Sequence, residues 1–278
     1  MKGEDSIAEG SPRAQYLPAS HVIHELSEFG RNRIEELSSI KILILGIMAG
    51  AFITAGALFS VLLASGFDSY GPRVLVEGLG FSTGFFFVIL AEAALFTEAN
   101  VAMPATLFHG ASPTGRVLRF WGLAILGNLI GAIFTGWLIQ FAQVYSADFD
   151  ALLAEIVATK MAYREIGGVE GWGKIILSGM LANWLVGMAA FFATMGRTII
   201  GKYIPVLLAV SLFVTAGFQH SPANMGYFSL SMASGGGPGW GQAIVWNLIP
   251  AGIGNVIGGT LFVALPFWFI YGRRSDAG

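Results

Sequence analysis

Cysteine is absent from this chain, which removes disulfides, thiol nucleophiles and Cys-ligated metals from consideration. Charge is scarce as well. Only 12% of the 278 residues are Asp, Glu, Lys or Arg, and the formal net charge is -2. Such a chain offers no grip to a polyanionic partner, so no nucleic acid is expected. Histidine is rare, with 4 in all, and His220 alone lies deep in an apolar stretch (His109 falls at an end). A metal cluster or a nucleophile–base pair cannot be assembled from that stock. An intramembrane enzyme is therefore a distant alternative, and neither metal nor cofactor is expected. Residues 1–20 are polar and carry Pro12 and Pro18. No cleavable signal is expected in them, and they read as a mobile cytoplasmic tail.

What is abundant is apolar. The chain is 55% hydrophobic, with a mean hydropathy of +0.69. A soluble domain of this length could not hide so much apolar surface, whereas lipid would cover it. The 38 glycines suit close backbone packing between membrane helices. Apolar windows predict six spans at about 41–67, 78–109, 117–142, 173–195, 203–235 and 243–271. The second and fifth are too long for one straight crossing and hold polar residues in their middles. Each reads as two half-helices joined at membrane depth, which survives only around a cavity or inside protein.

Lysine and arginine orient the spans. With the N-terminus inside, that side holds Arg31, Arg33, Lys41, Arg116, Arg119, Arg197, Lys202, Arg273 and Arg274. The other side holds Arg73, Lys160, Arg164 and Lys174, diluted by acids such as Asp148, Asp150 and Glu155. Both termini are thus expected inside. Residues 21–39 repeat Val22, Leu26, Phe29 and Leu37 at helical spacing, as an amphipathic helix on the inner membrane surface or a neighbouring subunit would. The expected organisation is a tail at 1–20, the amphipathic helix at 21–39, a channel domain at 40–272 and a tail at 273–278. The link 143–172 reads as an outer helical cap.

One phrase occurs twice: Gly127-Asn128-Leu129-Ile130-Gly131 and Gly254-Asn255-Val256-Ile257-Gly258. Each follows a break, Leu95-Phe96-Thr97-Glu98-Ala99-Asn100 and Phe218-Gln219-His220-Ser221-Pro222-Ala223-Asn224. Matching interruptions in two halves point to inverted three-helix repeats with a solute pathway at the breaks. His220 is the sharpest candidate, since an ionisable group in hydrocarbon ordinarily faces a cavity and can share a proton with a passing anion. Thr97 occupies the matching place in the first break. Asn128 reads as a cross-link between helices and Asn255 as a pore residue. Glu92 and Glu98 would repel an anion if ionised and exposed to the pore. Capping the second half-helix is the favoured reading of Glu98, with a pathway role the alternative. Among Phe81, Phe85, Phe86 and Phe87, one or two could narrow the pore to a dry constriction.

On these residues the chain resembles the formate/nitrite transporter family, over about 40–272. The most specific stretches are Gly196-Arg197, Phe213-Val214-Thr215-Ala216-Gly217-Phe218-Gln219-His220-Ser221-Pro222-Ala223-Asn224-Met225, Asn183-Trp184-Leu185-Val186 and Asn247-Leu248-Ile249-Pro250. The resemblance implies an aquaporin-like protomer of six transmembrane helices, all α, assembled as a homopentamer in a bacterial cytoplasmic (inner) membrane. It also implies that His220 is the central pore histidine, with Asn255 and Thr97 on the pathway. Phe81, Phe85 and Phe213 would form the outer constriction, and Leu95, Phe96 and Val186 the inner slit. The family's outer lysine would be Lys160 or Lys174. Ala94, Glu98 and Gln219 stand where the family usually has an acid, a small residue and Glu, respectively. The expected solute is a small monovalent weak-acid anion of the formate, nitrite or hydrosulfide class. The alternative is a pore retuned for ammonium or ammonia. Neither break carries the Asn-Pro-Ala of an aquaporin proper, and a structural scaffold would leave the duplicated breaks unexplained.

Overall fold

The computed structural model describes residues 16–272, and they are almost entirely helical. The tail at 273–278 and residues 1–15 of the other tail lie outside the described residues. Leu17 N donates to Met195 O at 2.8 Å, and Tyr16 bridges Gly196. The last residues of the expected N-terminal tail are therefore pinned to the body.

The elements are α1 (Ala19–Glu36), α2 (Ser39–Ala64), α3 (Tyr70–Leu90), α4 (Ala99–Phe108), α5 (Thr114–Ala142) and α6 (Ala147–Met161). A single turn, α7 (Tyr163–Ile166), leads to α8 (Gly168–Met195), α9 (Ile199–Thr215), α10 (Ser221–Ala233) and α11 (Trp240–Gly272). Helices α2, α3, α5, α8 and α11 are each long and apolar enough to cross a membrane. The pair α9 and α10 supplies the sixth crossing. Helix α3 begins at Tyr70, eight residues before the apolar window at 78. Its Arg73 and Glu77 are paired there, so the helix tolerates charges that hydropathy discounts.

Two similar halves emerge from the packing. Helix α2 packs on α3 and α5; helix α8 packs on α9 and α11. Three crossings per half put the second half upside down relative to the first. The half-helices are exchanged: α10 lies on α2 and α5, while α4 reaches α8 and α11. The duplicated glycines explain the close approach. A Cβ on Gly127 would meet Leu43 O, and one on Gly254 would meet Ile176 O. Gly131 stands against Ile47 O, and Gly258 against Met180 O. Small residues four apart thus let backbones touch in both halves.

Helix α1 buries Val22, Ile23, Leu26 and Ile34 against α4 and α8 of its own chain. Thr106 Oγ1 donates to Ser27 O at 3.0 Å, joining α4 to α1. Helix α11 widens to π turns at Ile244–Leu248 and Thr260–Ala264. Each turn is followed within two residues by a proline, Pro250 or Pro266. A proline lacks the N–H for the regular ladder and crowds the preceding turn, which a wider turn relieves.

Candidate solute pathway

Both breaks are held by asparagines in the same way. Asn128 Oδ1 accepts from Phe96 N at 3.0 Å, and its Nδ2 donates to Ala94 O at 2.9 Å and Gly46 O at 3.0 Å. Asn255 Oδ1 accepts from Ser221 N at 2.9 Å, and its Nδ2 donates to Gln219 O at 3.0 Å and Gly179 O at 2.9 Å. Each amide straddles one residue of its break and ties it to a glycine of the neighbouring span. Ser221 Oγ also donates to Asn255 Oδ1, at 3.0 Å. Both asparagines are fully buried. The pore role expected for Asn255 is corrected to the cross-linking role expected for Asn128, because its amide is filled by protein partners.

The same register corrects a second expectation. Phe96 matches Ser221 and Ala94 matches Gln219, so the residue opposite His220 in the repeat is Leu95, not Thr97. Thr97 lies two residues further on. Its carbonyl accepts from Asn183 Nδ2 at 3.2 Å, and its buried Oγ1 has no hydrogen-bond partner among the described residues.

His220 is the N-cap of α10, with extended backbone, and Pro222 fits the first turn. Its Nδ1 accepts from Ala223 N at 3.2 Å. A neutral imidazole accepting there carries its proton on Nε2. Nε2 is buried and without a hydrogen-bond partner among the described residues. The ring lies 5.1 Å from that of Phe213, and Phe213 meets Phe81 edge to face at 5.8 Å. Tyr227 stacks on Phe81 and donates its hydroxyl to Ser60 Oγ at 3.1 Å. Phe85 is buried in the same apolar cluster, as are Leu95 and Val186. Phe96 is turned aside: it lines an apolar cavity of about 450 Å³ with Leu126, Leu129 and Ile253.

Two cavities lie near these elements. On the α6 side a cavity of about 120 Å³ is lined by Lys160, Arg73, Glu77, Phe213 and Tyr227. Lys160 donates from Nζ to Phe218 O at 3.1 Å, which fixes the lysine to the second break. Burial pulls its ammonium down to about 8, opposed by the Glu77 carboxylate. Lys174 lies outside this cavity, pairing with Glu170 at 2.9 Å on the surface. Of the two candidates, only Lys160 lines this cavity.

The second cavity, of about 260 Å³ on the α1 side, is lined by Glu25, Glu92, Glu98 and Lys202. Glu98 makes no capping hydrogen bond to α4. It already has helical backbone, whereas a capping side chain needs extended backbone to reach the free amides. Val101 N bonds Glu98 O instead, at 3.3 Å. The favoured capping reading is thereby corrected, and Glu98 lines the cavity instead. Glu92 sits at φ 48, uncommon for a side-chain-bearing residue. Its carbonyl is gripped by Arg33 Nη2 at 2.8 Å, with the guanidinium over Phe29 and Phe120.

Two features escaped the sequence reading. One is the amide network in which Gln219 Oε1 accepts from Asn224 Nδ2 at 2.8 Å and Asn247 Nδ2 at 3.0 Å. Asn247 Nδ2 also donates to Lys160 O at 2.9 Å, so α6, α11 and the second break share one knot. Gln219 beside His220 was the available signal. The other is the Arg73–Glu77 pair, which sequence counted only as orientation charge. No metal-binding group of His, Cys, Asp and Glu occurs among the described residues.

Known proteins resemble the chain throughout. A "Probable formate transporter" of Methanothermobacter thermautotrophicus is 30% identical over 83% of this chain and 89% of its own length. "Formate channel FocA" of Escherichia coli (strain K12) is 29% identical over 85% and 88%. Among solved structures, an "FNT family ion channel" superposes with TM-score 0.78 at 23% identity, over 90% of this chain and 99% of that one. A "Pentameric formate channel with formate bound" gives 0.70 at 24%, over 84% and 98%. The family model described as formate/nitrite transporter matches residues 20–269. This chain is therefore an integral membrane protein of the formate/nitrite transporter family.

Proposed function

We propose that the chain conducts a small monovalent weak-acid anion of the formate, nitrite or hydrosulfide class, as a homopentamer with one pathway per protomer. The α6 side is the outer face, the α1 side the cytoplasmic face, and the membrane a bacterial cytoplasmic one. One observation carries the reading: buried His220 packs 5.1 Å from the Phe213 ring, and the buried Lys160 ammonium is tied to Phe218 O of the same break. The pentamer is supported by the likeness to the pentameric channel fold. Exposed Leu126, Phe134 and Trp137 on α5 and Ile249 and Ile253 on α11 would meet lipid or neighbouring subunits.

Energetics decide how the solute crosses. Moving a bare carboxylate into a medium of low dielectric costs on the order of tens of kcal/mol. Protonating a carboxylate of pKa about 4 at pH 7 costs about 4 kcal/mol. The neutral acid is therefore the form that passes Phe81 and Phe213. Lys160 concentrates the anion above the neck, and the His220 Nε2–H offers a donor within it. Asn255 holds the break that aims His220. Thr97, Leu95 and Val186 border the lower passage, and Glu98 and Glu92 line its exit.

Flux in proteoliposomes over formate, nitrite, hydrosulfide, lactate and ammonium tests the reading. Anion flux in the parent with altered flux or pH profile in His220→Phe and His220→Asn supports it. Ammonium flux without anion flux would replace it with the cation reading, which the acid-lined inner vestibule favours.

A further inference from the structure

The outer cavity holds more charge than its lysine. Arg73, Glu77 and Glu155 line it too, with Tyr70 and Tyr227 as the other titratable groups. Arg73 directs its fork at Glu155: Nη1 donates to Oε2 at 3.1 Å and Nη2 to Oε1 at 2.7 Å. Only Nε then faces Glu77, at 3.8 Å, beyond hydrogen-bond range, and that Nε is buried and unpartnered. The two carboxylates differ in depth. The Glu155 side chain is 56% exposed and the Glu77 side chain 13%. Glu155 is screened by water; Glu77 is the deep negative charge of the vestibule, and Arg73 compensates it incompletely.

Lys160 is the other half of this arrangement. Its ammonium has one hydrogen bond, to Phe218 O, and no ion pair joins it to Glu77 among the described residues. The two charges still feel each other across the cavity, since Glu77 opposes the effect of burial on Lys160. An unpaired ammonium and an under-compensated carboxylate thus line one space of about 120 Å³. That volume takes several waters or an anion of a few heavy atoms.

We propose that Glu77 is the resident counter-ion of Lys160 and sets the affinity with which the pathway captures an external anion. The inference rests on the anion reading given above. An arriving anion meets a vestibule whose two cations are already balanced by two carboxylates, and it must compete with Glu77 for the ammonium. Weak capture keeps the solute free to move on into the neck. A bare lysine would hold it.

The test is the half-saturation concentration for formate in proteoliposomes at fixed pH and ionic strength, with maximal flux measured alongside. Glu77→Gln removes the charge and keeps the shape. We expect half-saturation to fall about tenfold, the effect of one unit charge at short range in a partly screened site, without a gain in maximal flux. Glu170→Gln, which neutralises an exposed carboxylate outside the cavity, should shift it less than about twofold. Glu77→Ser removes the same charge with a smaller side chain and carries the test should Glu77→Gln not assemble. Parent-like half-saturation in an assembled neutral variant would overturn the proposal while leaving the anion reading intact. A shift as large in Glu170→Gln would also overturn it, because place in the cavity would then not matter. A parent that passes ammonium and no formate would overturn both.

Discussion

Replacing Asn255 by Ala tests the clamp on which the second break depends. The change breaks three hydrogen bonds at once, to Ser221 N, Gln219 O and Gly179 O, each now within 3.0 Å; Ser221 N and Gln219 O are left stranded, while Gly179 O, inside α8, keeps its helical bond. The site is fully buried, so no bulk water takes their place. Interhelical hydrogen bonds in membranes average about 0.6 kcal/mol, which sets a floor near 2 kcal/mol for the three. A stranded buried backbone group ordinarily costs about 1–3 kcal/mol, so the loss can reach several kcal/mol. Asn128→Ala breaks the same three kinds of bond and should cost the same within about 1 kcal/mol. The assay is reversible unfolding of the reconstituted protein by denaturant, read by tryptophan fluorescence. Formate flux provides a second readout, and Asn255→Ala should lower it more, because its break carries His220. Stability within about 0.5 kcal/mol of the parent in Asn255→Ala would refute the clamp.

Three further outcomes are expected. Gly131→Ala and Gly258→Ala place a methyl group against the carbonyls of Ile47 and Met180, so assembled yield should fall sharply, while Gly122→Ala, facing open space, should match the parent. Lys160 keeps its charge below about 8 and loses it as pH rises through that value; because protonating the anion also becomes harder, initial uptake should fall between external pH 7 and 9 in both the parent and Lys160→Gln, with the variant starting lower and the parent falling more steeply. Glu98→Gln removes no capping bond, so stability should hold within about 0.3 kcal/mol while anion exit through the inner vestibule rises; lost stability with unchanged flux would restore the capping role.

Legibility was uneven across the site. His220 stood out because an ionisable group beside a helix break has few bland explanations; Lys160 and Phe213 were named only through the family resemblance, and the structure sets both on one cavity. Asn255 and Glu98 were not, because their roles depend on where a side chain points. The asparagine spends its amide on carbonyls and an amide nitrogen far away in sequence. The glutamate takes helical backbone that denies it a cap. Leu95 went unpaired with His220 because an offset of two residues is invisible until hydrogen bonds define the register. Arg73 and Glu77 looked like surface charges, since hydropathy counts a pair as two penalties.

By itself the sequence determined the class, the number of crossings and the existence of two inverted halves. Lipid demands long apolar runs and internally satisfied backbones, and those demands are written in composition and period. The glycine–asparagine phrase marked the repeat because close helix contact and a held break need those residue types. Tertiary structure alone decided which polar groups are spent and which remain free. That Lys160 and not Lys174 lines a cavity, that the Asn255 amide is fully bonded, and that Glu77 shares the cavity of Lys160 all required knowing what lies within a few ångströms. In a low-dielectric interior that distance decides whether a charge is a fastener or a binding site.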